Sequence, residues 1–421
     1  MIQNRSIVTG PAFISLGLMG AFFACWGTTL PAMRAFLDLS IEKAAFLTAC
    51  GQASHAVVCF LGGILSDLMR RDRVLMAGCF ILGSGVFFLG GLDSYLANVL
   101  LVLWMGVGSG LILSSSNALL VGLYPDRKGP IMNIHHGTFG FFSLVSPLIM
   151  GYLLSQRKSW PLGYDGLGIL LVAVGIFFAF TATESVPSLG LGKFFGDLRK
   201  VAVHAGFGHL MLMGFLAVGT QFALMFLSVT FLTEAKQLGI FQASLILSLF
   251  FVGLFVGRFS CAWIAVRVLN ARIILFLLVL QTVSLFVAWW SEGWTSALAL
   301  VASGLACSGI FPCLLALTGS LFFGVAGTAL GLLASMNSLG GVFVVWISGM
   351  LSERGGIGFG FVAMVLSSAA GLALFLLRYG ALVREERAFK QRAVEKAAGE
   401  NRGNLGKAGL SLVRARANAR E

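Results

Sequence analysis

The chain alternates long apolar runs with short polar connections. About twelve runs lie near 11–34, 42–66, 73–92, 96–122, 131–154, 166–183, 207–233, 241–265, 271–290, 295–320, 326–351 and 357–378. Each is close to the roughly 20 residues that carry a helix across a hydrocarbon core. Backbone polar groups have no water to bond in lipid, so runs of this length read as helices. The longest connection, near 184–206, holds "ESVPSLGLGKFFGDLRK", polar and bearing Gly and Pro as a linker would. The expected fold is an all-α membrane protein with twelve transmembrane helices in two six-helix pseudo-repeats around a central cavity. The halves span 1–183 and 207–378, a cytoplasmic linker covers 184–206, and a basic cytoplasmic tail covers 379–421.

Internal matches support the duplication. Gly63 followed by "ILSDLMRRDR" in run two pairs with Gly257 followed by "RFSCAWIAVR" in run eight, an offset of 194. "GLILS" from Gly110 pairs with "GLACS" from Gly304 at the same offset of 194. "LSIEKAAF" after run one resembles "LGIFQASL" after run seven. In duplicated transporters the substrate sits near the bilayer midplane, between the halves.

Composition agrees with a membrane chain. Of 421 residues, 58% are hydrophobic and 11% charged, with a mean hydropathy of +0.93; soluble domains carry about 25% charged residues. The seven cysteines fall inside apolar runs without metal-ligand spacing, so they read as small packing residues. The net charge of +12 does not point to nucleic acid, because its placement is lopsided. With the N-terminus inside, the inner segments hold 22 Lys and Arg and the outer segments six, leaving Arg258 within a span. That asymmetry predicts both termini in the cytoplasm. The basic tail is expected to be disordered or to lie on anionic headgroups.

The stretch "GGILSDLMRRDRV" between runs two and three resembles the loop signature of the major facilitator superfamily. The resemblance implies a conformational latch made by Gly63, Asp67, Arg71 and Arg73. It departs from the pattern at Leu68, where a basic residue is usual. Within the superfamily, "FFACWG", "SSSNALL", "YPDRKGPIMNIHHGTFG", "GLFVGR" and "SGIFPCLLAL" look like the fucose permease-like branch of sugar–proton symporters. That branch carries an acidic residue in the fourth span, where Leu113 stands here, and often a Glu in the seventh, where Gln221 stands. None of the 17 Asp and Glu lies near the middle of a span. Proton coupling, if present, then falls to histidine, whose ordinary pKa near 6.5 lies in the physiological range.

Two histidines lie inside spans on polar or small-residue faces. His55 continues the stripe Gln52, His55, Cys59, Gly63, and reads either as helix packing or as a titrating cavity residue. His136 shares a face with Asn133, Gly137 and Gly140, a stretch resembling the family's Asn-x-x-His. It reads either as a gate-side hydrogen-bonding residue or as a substrate or proton residue. His135 points about 100° away and is expected to face headgroups or a loop. Arg258 is expected to snorkel toward the cytoplasm or cap a helix. Candidate substrate residues are Trp26, Ser114, Asn117, Gln221 and Asn337. The amides suit hydroxyl groups and Trp26 suits the apolar face of a ring, while helix packing is the alternative for each.

No HExxH, GxSxG, phosphate-binding loop or carboxylate pair is present, so no catalytic residue, metal or cofactor is expected, and the chain does not read as an enzyme. The expectation is a monomeric secondary transporter or facilitator of the inner membrane, moving a small polar solute, a sugar among them, by alternating access. Its partners are that solute, the lipid bilayer and protons, with no nucleic acid. The alternatives are an exporter of an amphipathic or apolar compound on the same fold, and a non-transporting assembly factor.

Overall fold

A computed structural model describes residues 5–124, 128–181, 205–322 and 326–418. The surroundings of Gly63, Asp67 and Asn133 lie outside the described residues, as does nearly all of the expected linker. The first six helices are α1 (Arg5–Leu37), α2 (Ile41–Leu68), α3 (Arg71–Phe87), α4 (Tyr95–Leu123), α5 (Lys128–Ser155) and α6 (Pro161–Ala179). The second six are α7 (Ala205–Thr230), α8 (Ile240–Ala265), α9 (Asn270–Trp290), α10 (Gly293–Leu321), α11 (326–354) and α12 (357–418). A π-helical turn, Phe231–Ala235, extends α7. Gly355 and Gly356, the latter at φ 78°, break what would otherwise be one helix into α11 and α12.

Each apolar run became one helix because its length and composition leave no other way to satisfy the backbone in lipid. Ser40 and Ser94 cap α2 and α4 by accepting from Lys43 N and Ala97 N. At 17 residues α3 is the shortest, and it packs between α4 and α6.

The duplication is visible in matched close approaches. In the first half Gly62 of α2 takes Ser114 of α4 against it; in the second Gly257 of α8 takes Ser308 of α10. Gly110 of α4 abuts the Cys59 amide and His55 carbonyl of α2, where an added Cβ would sit 2.9 Å from each. Gly304 of α10 abuts the Phe250 backbone of α8 in the same way. Small residues let helices approach backbone to backbone, which gives van der Waals contact where lipid supplies no hydrophobic drive.

Among the described residues the most extensive contacts between the halves are α1 with α7, α2 with α11, and α5 with α8. Gly27 of α1 lies on the Met225 carbonyl of α7, Gly349 of α11 on Ala45 of α2, and Gly151 of α5 on Ser244 of α8. At the end carrying the α1–α2 loop, Arg34 is ion-paired with Glu234 of the π-helical turn. No contact of similar extent joins α4 or α5 to α10 among the described residues. The halves are therefore closed on each other at the α1–α2 end.

The loop between α2 and α3 is tied down inside the first half. Arg70 donates to both carboxylate oxygens of the fully buried Asp72, at 3.2 and 2.6 Å, and to the Thr181 carbonyl at 3.0 Å. The Asp72 carboxylate holds the Arg70 guanidinium above its already high ordinary pKa. Arg71 donates to the Ala118 carbonyl of α4 at 2.8 Å, and Arg73 to the Ala179 carbonyl of α6 at 3.3 Å.

The second half uses a different residue for the matching job, and it comes from the expected tail. The helix does not end near 378; α12 continues to Asn418. Glu386, 1% exposed, accepts from the Asn270 and Ala271 amides at 2.8 and 3.0 Å and so caps α9. A carboxylate on the first free N–H groups of a helix is favoured by hydrogen bonding and by the helix dipole together. Leu382 is buried beside it, so the first turns beyond the span belong to the second bundle's packing.

Candidate transport site

The site begins on α1. Phe22, Phe23 and Trp26 present aromatic side chains at helical spacing, with Phe22 edge-on to Trp26 at 5.9 Å between ring centres. Across from them α2 supplies Leu47, Thr48, Gly51 and Gln52, and α4 supplies Val102, Met105, Gly106 and Ser109. Phe226 of α7 closes the fourth side, 6.3 Å from Phe23 between ring centres. Together they line a small, partly open cavity of ≈ 30 Å³. Gly51 and Gly106 matter here because α2 and α4 touch backbone to backbone at that level; a Cβ on Gly106 would sit 2.6 Å from Ser54.

Polar groups in this wall are held in place. Trp26 Nε1 donates to Thr48 Oγ1 at 2.9 Å, which fixes the indole. His55 stands directly behind the cavity, edge-on to Phe23 at 5.4 Å. Its Nδ1 lies 2.9 Å from Ser109 Oγ, and Ser109 gives its own proton to the Gly106 carbonyl at 3.0 Å. A hydroxyl has one proton to donate, so His55 donates from Nδ1 and keeps Nε2 as the acceptor.

A second cavity, ≈ 80 Å³, lies between α5 and α8. His136, Gly137 and Gly140 line it from α5; Leu254, Phe255, Arg258, Phe259 and Ala262 line it from α8. Arg258 therefore faces α5, its partner helix across the cavity. His135 differs from expectation. It is fully buried against Phe13, with Nε2 3.0 Å from Ser116 Oγ of α4. Helix phase placed the two histidines on different faces correctly, but the face assigned to headgroups is covered by α1 and α4.

The sequence-derived candidates separate into groups. Trp26 lines the first cavity and His55 backs it; His136 lines the second. Ser114 is bonded to the Gly110 carbonyl of its own helix at 2.9 Å and packs on Gly62, outside both cavities. Asn117 Oδ1 is buried without a partner among the described residues. Asn337, 1% exposed, has both amide atoms unpaired and lies against Gly214 of α7. Gln221 is buried on α7, one turn before Met225. Sequence reasoning missed Phe226, Met105 and Ser109 in the wall, and it left Gln52 as one residue of a stripe. A signal was present for Gln52, since the stripe it shares with His55 is the one facing α1 and α4.

Among the described residues no cluster of three or more His, Cys, Asp or Glu is placed to hold a metal ion. The cysteines are free, five of them buried. With long apolar helices, two matched bundles and an enclosed wall of aromatic and polar side chains between them, the molecule has the architecture of a membrane transporter of small solutes, not of an enzyme. The chain belongs to the Major Facilitator Superfamily, whose family model matches residues 12–226 and 210–417. It is 23% identical over 390 residues to a protein TsgA homolog of Serratia proteamaculans, covering 89% of this chain and 95% of that one. A TsgA homolog of Edwardsiella ictaluri is 26% identical over 191 residues, 45% of this chain and 47% of that protein. The fold matches a bacterial homolog of the human lysosomal transporter Spinster in an inward-facing, unoccupied conformation. The TM-score is 0.74 at 15% identity, over 91% of this chain and 98% of that chain. The nucleoside transporter NupG matches at TM-score 0.73 and 14% identity, over 90% and 99%. The fucose:proton symporter FucP of E. coli matches at TM-score 0.57 and 16% identity, over 87% and 99%. At these identities the structural likeness carries the fold.

Proposed function

We propose that this transporter moves a small hydroxyl-bearing solute, a sugar or sugar-like compound, across the inner membrane by alternating access. In this reading both termini are cytoplasmic and the α1–α2 end, closed here, faces outward. The observation that supports it best is the cavity among α1, α2, α4 and Phe226. Aromatic faces suit the apolar side of a sugar ring, and Gln52, Thr48 and Ser109 supply directional hydrogen bonds beside them. The names of NupG and FucP, a nucleoside transporter and a fucose symporter, fit such a solute. Asn117 and Asn337 are proposed to meet the solute along its path, since unpaired buried amides are costly unless something bonds them, and Gln221, buried on α7, is proposed to join them. Asp67, Arg71 and Arg73 are proposed as the latch, with Gly63 giving close approach. A second reading, export of an amphipathic compound, is favoured by the predominance of Phe, Trp, Leu, Val and Met in the same wall.

The test is a thermal-shift screen of the purified protein with sugars, nucleosides and amphipathic compounds. A ligand that binds the folded state raises its apparent melting temperature. Gln52→Ala should weaken binding of the best hit by about tenfold, equivalent to roughly 1.4 kcal/mol, within the range for hydrogen bonds lost in a partly dehydrated site. Unchanged binding in that variant, with only a lower melting temperature, would assign Gln52 to packing.

His55 is proposed as a proton-coupling residue, with His136 the second candidate. The free Nε2 of His55 beside the solute wall is what supports it. His55→Gln should abolish accumulation driven by an imposed pH gradient in proteoliposomes while counterflow without a gradient survives. Full pH-driven accumulation in the variant would remove His55 from the coupling mechanism.

A further inference from the structure

We propose that the α5–α8 cavity is an oxyanion site, in which Arg258 and His136 bind the carboxylate or phosphate-like group of a small solute. Arg258 lies seven residues from the end of α8, about 10 Å along the helix at 1.5 Å per residue, so it sits well inside the span. It faces α5. Phe255, Arg258 and Ala262, at i, i+3 and i+7, all line the cavity, while Val256 and Trp263 on the other side of α8 are exposed.

A charge at that depth is expensive unless it is paired. Arg258 Nε is buried and has no hydrogen-bond partner among the described residues. None of the chain's 17 Asp and Glu lies near the middle of a span. The helix opposite offers His136, which cannot neutralise a cation. It also offers Gly137, which leaves room; a Cβ there would meet nothing within 4 Å. A guanidinium fork matches the paired oxygens of a carboxylate or phosphate, and an imidazole N–H adds a further donor. A cationic ligand would be repelled, and a neutral one would leave the charge uncompensated. The geometry therefore selects an anion.

The anion has two sources. One is a soluble solute passing between the halves; the other is a lipid headgroup, because Phe259 on the cavity rim is exposed toward the bilayer side. This inference rests on the transport reading for the solute's itinerary, and on the cavity alone for the site. Binding measured without transport keeps the two apart. Wild type, Arg258→Gln and Arg258→Lys are compared by thermal shift in neutral-lipid nanodiscs in Tris chloride. The probes are acetate, D-glucuronate and inorganic phosphate at matched ionic strength. The expected result is that at least one probe raises the wild-type melting temperature by several degrees, that Arg258→Gln loses the shift, and that Arg258→Lys keeps part of it. If none of the three moves the wild type, or if Arg258→Gln responds equally, the site is not an oxyanion site. If only phosphatidylglycerol added to the nanodiscs produces an Arg258-dependent shift, the soluble-solute form is overturned. Neutral glucose run alongside reads the α1–α2–α4 cavity, so its failure counts against the sugar reading and leaves this one standing.

Discussion

Gly27→Val stops transport while leaving a folded, inserted protein. Gly27 lies where α1 crosses α7, and a Cβ there would overlap the Met225 carbonyl oxygen. The obstacle is backbone, so no side-chain rotation relieves it. Forcing such an overlap costs about 1–3 kcal/mol in well-packed interiors. At about 1.4 kcal/mol per tenfold, the state closed at the α1–α2 end loses roughly 5- to 150-fold in population. The Arg34–Glu234 pair and the Gly349–Ala45 contact belong to the same closure and would part with it. A transporter that cannot close one end cannot complete its cycle, so proteoliposome uptake should fall in proportion. A cysteine introduced at Ala45, which packs on Gly349 across this closure, should label faster with an impermeant maleimide added from the α1–α2 side. Normal uptake with unchanged labelling would mean that this contact is incidental to the cycle.

The helices were legible because length and composition decide them one at a time. A run of about 20 apolar residues has few alternatives in lipid, and the observed ends fall close to those expected except in α12, which runs on to Asn418. The repeat was legible from glycines, and the structure gives the reason. Gly110 and Gly304 mark the stretch where α4 meets α2 and α10 meets α8, and there a larger residue would separate the helices. The α1–α2–α4 wall was legible in part: Trp26 by type, and His55 with Gln52 by their shared stripe.

What escaped the sequence depends on which helices meet. His135 was placed on the correct face but given the wrong neighbours, because helical phase says nothing about what lies opposite. Phe226 is 203 positions from Phe23 and comes from the other half. Glu386 was hidden for another reason. The chain after 378 is rich in charge, and charge density reads as a solvated tail. One buried carboxylate among those charges nevertheless caps α9 through Asn270, 116 positions away. Local composition cannot distinguish that residue from its exposed neighbours.

Gly340→Leu should behave in the opposite way from Gly27→Val, and the pair separates packing within a bundle from contact between bundles. Gly340 of α11 lies on the Phe215 backbone of α7, and a Cβ would overlap that carbonyl oxygen. Gly219 of α7 approaches Gly340 from the other side, with an added Cβ 3.0 Å from the Gly340 Cα. Both helices belong to the second bundle, which moves as a body during alternating access. No state of the cycle therefore relieves the overlap. A leucine must displace one helix along its length, cost at least about 1–3 kcal/mol, and break the packing around Asn337. Against a total stability of about 5–15 kcal/mol, that loss is a substantial share of the margin of a bundle already holding the unpaired Asn337 amide. Fluorescence-detected size exclusion should show Gly340→Leu aggregated or absent, while Gly27→Val elutes as a symmetric peak at wild-type yield. If Gly340→Leu is monodisperse and transports, the α7–α11 contact is looser than its backbone spacing implies. If Gly27→Val aggregates as well, the contact between the halves is part of the folded core and not of the gate.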